Sequence, residues 1–128
     1  MTRRPILKVG VVLWLVGWAV FGLPWTGLTT SPRASRLNLI PFRRSTYRRR
    51  DLVLNFVYYV PLGIIGAYLG WGSGAILAAA TALSGGTELI QIFSRDRYPS
   101  VTDVILNVCG AAAGVVFALA VRQIRARR

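Results

Sequence analysis

Four long apolar runs, separated by three more polar links, dominate the pattern of hydrophobic and polar positions along the chain. Each run is about as long as the ~20 residues that a helix needs to cross a bilayer, and only Glu88 is charged within them. Since the helices of a soluble bundle need a charged outer face, the pattern predicts an all-α membrane protein, a four-transmembrane-helix bundle in a single domain over residues 1–128. The predicted spans are about 9–28, 52–71, 74–93 and 104–121.

The few polar side chains of these spans fall at one end of the predicted bundle. Two runs begin with the same pattern, Asp-x-x-x-Asn, as DLVLN (51–55) and DVILN (103–107). Members of each pair are four residues apart and therefore share a helix face, as do Glu88, Gln91 and Arg95 at i, i+3 and i+7. Because polar stripes that face lipid are costly, we expect them to turn inward into one polar nest. Its predicted members are Asp51, Asn55, Glu88, Gln91, Arg95, Asp103 and Asn107.

Within the polar nest, Arg95 is expected to pair with Glu88 and with one of the aspartates. The repeated Asp-x-x-x-Asn pattern also suggests a parallel internal repeat, in which the second and fourth runs both contact the end of the third. A structural alternative stays open. Each aspartate could simply cap its helix, with Asp103 in a capping box with Ser100, and Glu88 could form a structural clamp with Arg95.

Small residues indicate where the helices could approach each other. Gly110 and Gly114 in the fourth run have small-xxx-small spacing, as do Gly66 and Gly70 in the second. Pro61 is expected to kink the second run. These positions predict packing and carry no chemistry.

The link between the first two runs is an Arg-rich loop with an apolar centre. It contains seven arginines, and its centre is LNLIPF, residues 37–42. Arginines bind lipid phosphates, and an apolar segment between them favours the bilayer interface. We therefore expect this loop to lie partly in the headgroup region.

The overall charge is strongly positive, with 16 Lys+Arg against 4 Asp+Glu and a net charge of +12. The basic residues lie at the chain ends and in one loop, which is the distribution of a membrane protein. We therefore expect anionic membrane lipids, not nucleic acid, as partners. Asp96 and Arg97 are interpreted as a solvated loop pair. With no histidine and a single cysteine, the chain lacks the usual metal-binding clusters, and no metal or cofactor is expected.

The order and spacing of these motifs resemble the VanZ-like family. The resemblance rests on LNLIPF, on D-x-x-x-N followed by PLG, on E-L-I-Q-x-F-x-x-R and on D-x-x-x-N-x-x-G, and it covers roughly residues 37–120. It implies a small multi-pass protein of the bacterial cell envelope, whose family namesake is associated with teicoplanin resistance. Position by position it adds Asn38, Pro41, Phe42, Pro61, Gly63 and Gly110. The neighbouring arginines Arg43 and Arg44 complete the candidate loop motif.

Three functions stay open at this point. The first is binding of an anionic lipid head, such as a polyprenyl-phosphate or a cell-wall precursor, since the guanidinium fork suits phosphate. The second is a membrane-embedded enzyme with Glu88 or Asp103 as general base near Arg95. The third is a small transporter, for which four spans suffice only in an oligomer. The expected location is the bacterial plasma membrane with the N- and C-termini in the cytoplasm, because the first helix often dominates orientation.

Overall fold

The computed structural model describes residues 3–42 and 49–128, and all regular elements in these two ranges are helices. The elements are α1 (Arg3–Gly22), a 3₁₀ helix (Ala34–Arg36), α2 (Arg49–Leu69), α3 (Ser73–Gln91) and α4 (Val101–Ala126). The four α-helices are each long and apolar enough to cross a membrane. The predicted fold class is confirmed, and four such helices indicate a multi-pass membrane protein.

The ends of α1 and α4 differ most from the predicted spans. α1 ends at Gly22, whereas the predicted span continued to residue 28. Pro24 explains the difference, because proline lacks an N–H donor and disfavours helical geometry in the residue before it. α4 continues to Ala126, so part of the basic C-terminal segment is helical.

The closest approach in the bundle is the contact between α2 and α4, where the two backbones touch. A Cβ atom on Gly110 would overlap the carbonyl oxygen of Phe56, and one on Gly114 would overlap that of Val60. Residue numbers rise together along this contact, so α2 and α4 run parallel. The predicted small-xxx-small contact of α4 is therefore confirmed. Gly70, in contrast, has open space around it and a φ of 85°, and it follows the last turn of α2 as a left-handed residue.

Aromatic side chains attach α1 to α2. The Trp14 Nε1–H donates to the carbonyl oxygen of Tyr58 at 2.7 Å. The ring of Trp14 also meets Tyr59 edge to face, with ring centroids 5.4 Å apart. This contact places the C-terminal half of α1 beside the middle of α2.

The connecting segment, residues 23–42 between α1 and α2, folds back over the link between α3 and α4. The Asn38 N–H donates to the Pro99 carbonyl at 2.9 Å, and the Val101 N–H donates to the Asn38 carbonyl at 3.1 Å. These bonds fix the segment against the start of α4. Its interfacial placement stays a prediction, and Arg43 and Arg44 lie outside the described residues.

Candidate functional site

A cavity of about 720 Å³ opens where α1 and α3 end and where α2 and α4 begin. This is the end of the bundle at which the sequence placed its polar residues. Six of the seven predicted members of the polar nest line the cavity. They are Asp51, Asn55, Glu88, Gln91, Asp103 and Asn107.

The structure does not place Arg95 in this cavity. Its side chain is exposed and is not part of the lining. α3 ends at Gln91, one turn before Arg95. Arg95 is therefore not helical and does not share a helix face with Glu88 and Gln91. Its backbone instead holds the connecting segment, since its N–H donates to the Gly27 carbonyl and its own carbonyl accepts from Arg36 Nη1, each at 2.8 Å. The expected pairing of Arg95 with Glu88 is therefore not observed.

Asp96 and Arg97 take a different place from the solvated loop pair that the sequence suggested. Both are exposed, but both also line the cavity and so lie at its mouth. As a result, all four acidic residues of a chain with a net charge of +12 face one cavity. The scarcity of acidic residues was the signal that could have identified Asp96.

Glu88 is only 8% exposed, and it fixes the start of α4. Its Oε2 accepts the backbone N–H of Ser100 at 2.6 Å. Ser100 is the N-cap of α4, and its side chain accepts the N–H of Thr102 at 3.2 Å. In a capping box, Asp103 would reach back to the Ser100 N–H. Here Glu88 takes that role from the neighbouring helix, and this leaves Asp103 available to the cavity.

The two Asp-x-x-x-Asn motifs meet across the α2–α4 contact. The side chain of Asn55 lies beside the carboxylate of Asp103, so the asparagine of the first motif is next to the aspartate of the second. α2 and α4 also both contact α3, and the parallel internal repeat stays a hypothesis. The other aspartate and asparagine, Asp51 and Asn107, are arranged differently. Asn107 donates its Nδ2–H to Ser84 Oγ at 2.7 Å and not to Asp51.

Polar side chains from all four helices meet beside the cavity. Tyr59 lies next to the side chains of Trp18 and Ser84. Ser84 Oγ accepts the Nδ2–H of Asn107 at 2.7 Å. The other amide atom of Asn107, Oδ1, is buried and has no hydrogen-bond partner among the described residues.

One side of the cavity is apolar and was not identified from the sequence. Its lining includes Trp18, Phe21, Leu54 and Tyr58. Phe21 is 74% exposed and Leu54 is 50% exposed, so this side continues onto the outer surface of α1 and α2. Aromatic and aliphatic residues at helical spacing are ordinary in membrane helices, and the sequence therefore gave no separate signal for them.

The loop motif lies next to the cavity but does not line it. Asn38 holds the start of α4, as described above, while Pro41 and Phe42 are exposed. The Phe42 N–H donates to Thr102 Oγ1 at 2.9 Å, and its φ of 56° is in the left-handed region. Arg43 and Arg44 lie outside the described residues. Among the residues with described positions, no three acidic or cysteine side chains are grouped closely enough to hold a metal ion.

The comparison with protein-family models gives one match to this chain. Residues 6–122 match the family described as VanZ/LLP1. No significant match exists among curated proteins or among solved structures. The matched range includes every residue that lines the cavity, and it spans most of the chain. The protein therefore belongs to the VanZ/LLP1 family.

Proposed function

We propose that this VanZ/LLP1 protein binds the headgroup of a membrane amphiphile in the cavity at the helix ends. The observation that carries this proposal is the joining of two unlike surfaces in one cavity. Four carboxylates and an arginine line it together with Phe21 and Leu54, which lie on the exposed side of their helices. A ligand with a charged head and a hydrocarbon tail matches both surfaces, because binding sites pair apolar walls with a few placed polar groups.

Arg97 supplies the group that suits a phosphate in such a headgroup. Its guanidinium presents a planar fork of donors, which is the geometry that phosphate oxygens accept. The neighbouring Tyr98 is held by Arg36, whose guanidinium carbon lies 4.9 Å from the ring centroid. Candidate ligands include membrane phospholipids and polyprenyl-phosphate-linked cell-wall precursors. Binding of a cell-wall precursor would connect the protein to the teicoplanin resistance associated with the family namesake.

Two features of the acidic catalytic candidates favour binding over catalysis. Glu88 has a structural role, because its Oε2 accepts the Ser100 N–H at the start of α4. The chain also has no histidine, which is the most frequent general base in enzymes.

Filling the apolar side of the cavity should displace the ligand. We expect Leu54→Trp to reduce the lipid that co-purifies with the protein by about tenfold, which corresponds to about 1.4 kcal/mol of binding free energy. The measurement is native mass spectrometry of the protein released from a mild detergent, with extracted lipids identified and counted per protein. The matched control is Val53→Trp, because Val53 is 53% exposed on the same helix but does not line the cavity. Equal lipid content in both variants and the unchanged protein would show that the cavity is not the lipid site.

We expect both termini in the cytoplasm of a bacterial cell, which puts the cavity at the outer leaflet. The basis is the frequent dominance of the first helix in setting orientation. Reporter proteins fused after Arg128 test this orientation directly. A fluorescent protein should be active there, whereas a phosphatase that is active only in the periplasm should be inactive. An active phosphatase would move the cavity to the cytoplasmic leaflet.

A further inference from the structure

The charge of the cavity is opposite to the charge of the chain. Its lining contains four carboxylates and, among the described residues, Arg97 as the cation. Asp96 and Arg97 lie at the mouth, and four carboxylates against one guanidinium give the lining an excess of negative charge. Asp51, Glu88 and Asp103 face the cavity from three different helices. Carboxylates gathered in a poorly solvated site repel one another, and a cation between them relieves the repulsion.

A second observation, independent of the acids, also indicates a ligand that donates hydrogen bonds. Asn107 lines the cavity and is 8% exposed. Its amide nitrogen donates a hydrogen bond to Ser84 Oγ. Its Oδ1 has no hydrogen-bond partner in the part of the chain that the structure describes. Buried polar atoms normally have a hydrogen-bond partner, and an exception calls for an explanation. A donor on a bound ligand would supply the missing partner.

The two Asp-x-x-x-Asn motifs place Asp51 and Asn107 at the same cavity. Both residues line it, but Asn107 donates its Nδ2–H to Ser84 and makes no bond to Asp51. A ligand that suits both residues must carry positive charge for Asp51 and an N–H donor for the oxygen of Asn107.

Only one common headgroup cation has both properties. A primary ammonium combines one positive charge with three N–H donors. A quaternary ammonium carries the charge without a donor, and a polyol headgroup carries donors without the charge. We infer that the cavity selects lipids with a primary ammonium in the headgroup, which donates to Asn107 Oδ1 and is attracted by the negative charge of Asp51, Glu88 and Asp103. This step rests on the proposed lipid-binding function. This is the reverse of the preference for purely anionic lipids that the Arg-rich sequence suggests.

The test is a competition among three phospholipids with identical acyl chains. The purified full chain in mild detergent is offered equal amounts of phosphatidylethanolamine, phosphatidylcholine and phosphatidylglycerol, and bound lipids are counted by native mass spectrometry. We expect phosphatidylethanolamine to be retained about tenfold over each of the others, a difference of one decade in affinity. A fourth arm adds free ethanolamine. Displacement of lipid by millimolar ethanolamine would show that a soluble amine is the ligand and would overturn the lipid-borne assignment.

Two sets of variants separate failure of the inference from failure of the proposed function. Asp51→Asn and Asn107→Leu should bring the three lipids to nearly equal retention while the total stays high. Asp51 is exposed, so Asp51→Asn is expected to fold. It therefore tests the inference even if Asn107→Leu does not fold. Arg97→Gln should lower all three lipids together, because each carries a phosphate, and the exposed Arg95→Gln should leave all three unchanged.

The outcomes are distinct. Equal retention of the three lipids by the unchanged protein, or a preference for phosphatidylglycerol, would overturn the ammonium assignment and leave lipid binding standing. No retention of any lipid would remove both. A preference for phosphatidylethanolamine that survives in Asp51→Asn and Asn107→Leu would also overturn the assignment.

Discussion

Replacing Gly110 with alanine should lower the free energy of unfolding by about 3 kcal/mol or more, because overpacked interiors respond by shifts of the surrounding backbone. The new methyl group would overlap the carbonyl oxygen of Phe56. A side chain in its way could rotate, but a backbone carbonyl inside a helix cannot. Gly63, on the other helix, faces the carbonyl of Ala111 in the same manner. The contact is therefore close on both helices, and α2 and α4 can relieve the overlap only by moving apart.

Alanine at Gly85 is the matched control for this substitution. Gly85 lies within α3, and a Cβ there would meet nothing within 4 Å. Since alanine favours helix over glycine by about 1 kcal/mol, Gly85→Ala should match or exceed the stability of the unchanged protein. Thermal unfolding in detergent, followed by near-UV circular dichroism and tryptophan fluorescence, measures both variants. Wild-type stability in Gly110→Ala would mean that the two backbones do not touch.

Replacing Glu88 with leucine should cost about 1–3 kcal/mol, because the buried Ser100 N–H would lose its acceptor. The bond is short, at 2.6 Å, and Ser100 is the N-cap of α4. The loss would therefore loosen the first turn of α4, which carries Asp103. The same unfolding measurement applies, and amide hydrogen exchange at Ser100 should become faster.

Glutamine at position 88 distinguishes the effect of the hydrogen bond on stability from the effect of the negative charge. Glu88→Gln keeps an oxygen for the Ser100 N–H, so its stability should stay near that of the unchanged protein. Its preference for phosphatidylethanolamine should nevertheless fall, because one of the three inner carboxylates is lost. If Glu88→Gln is as unstable as Glu88→Leu, the charge and not the acceptor holds the start of α4.

The spans and the location of the cavity could be predicted from local patterns. Twenty apolar residues encode a membrane helix through their own composition, so α2 and α3 begin and end close to the predicted positions. The Asp-x-x-x-Asn spacing places each pair on one helix face, and the cost of exposing these groups to lipid turns both faces inward. Neither inference needs knowledge of distant contacts.

The position of Arg95 could not be predicted in this way. The stripe of Glu88, Gln91 and Arg95 assumes that α3 continues, and no proline or glycine occurs between 87 and 98 to mark an earlier end. The chain leaves the helix after Gln91, and the next residues bond to the connecting segment, for example through the Arg95 N–H to the Gly27 carbonyl. A helix end that is fixed by residues far away in sequence leaves no local pattern.

The packing role of Gly63 was hidden for a related reason. Gly63 and Ala67 have small-xxx-small spacing, as do Gly66 and Gly70, so spacing alone does not single out Gly63. Its close approach to Ala111 exists only once α4 lies alongside. Gly66 fits the pattern but contacts a flexible side chain, that of Ile76. Spacing identifies small residues on a helix, whereas the partner helix decides which of them are in close contact.

The parallel contact between α2 and α4 also sets an order of events during synthesis. The ribosome delivers α2 first, and α3 must cross the bilayer in the opposite direction before α4 can enter beside its partner. Until then the glycine surface of α2 borders lipid tails, and Asn55 lacks its neighbour Asp103. The cavity is thus completed only when α4 inserts, so we expect a chain that stalls before this step to be recognised by membrane quality control.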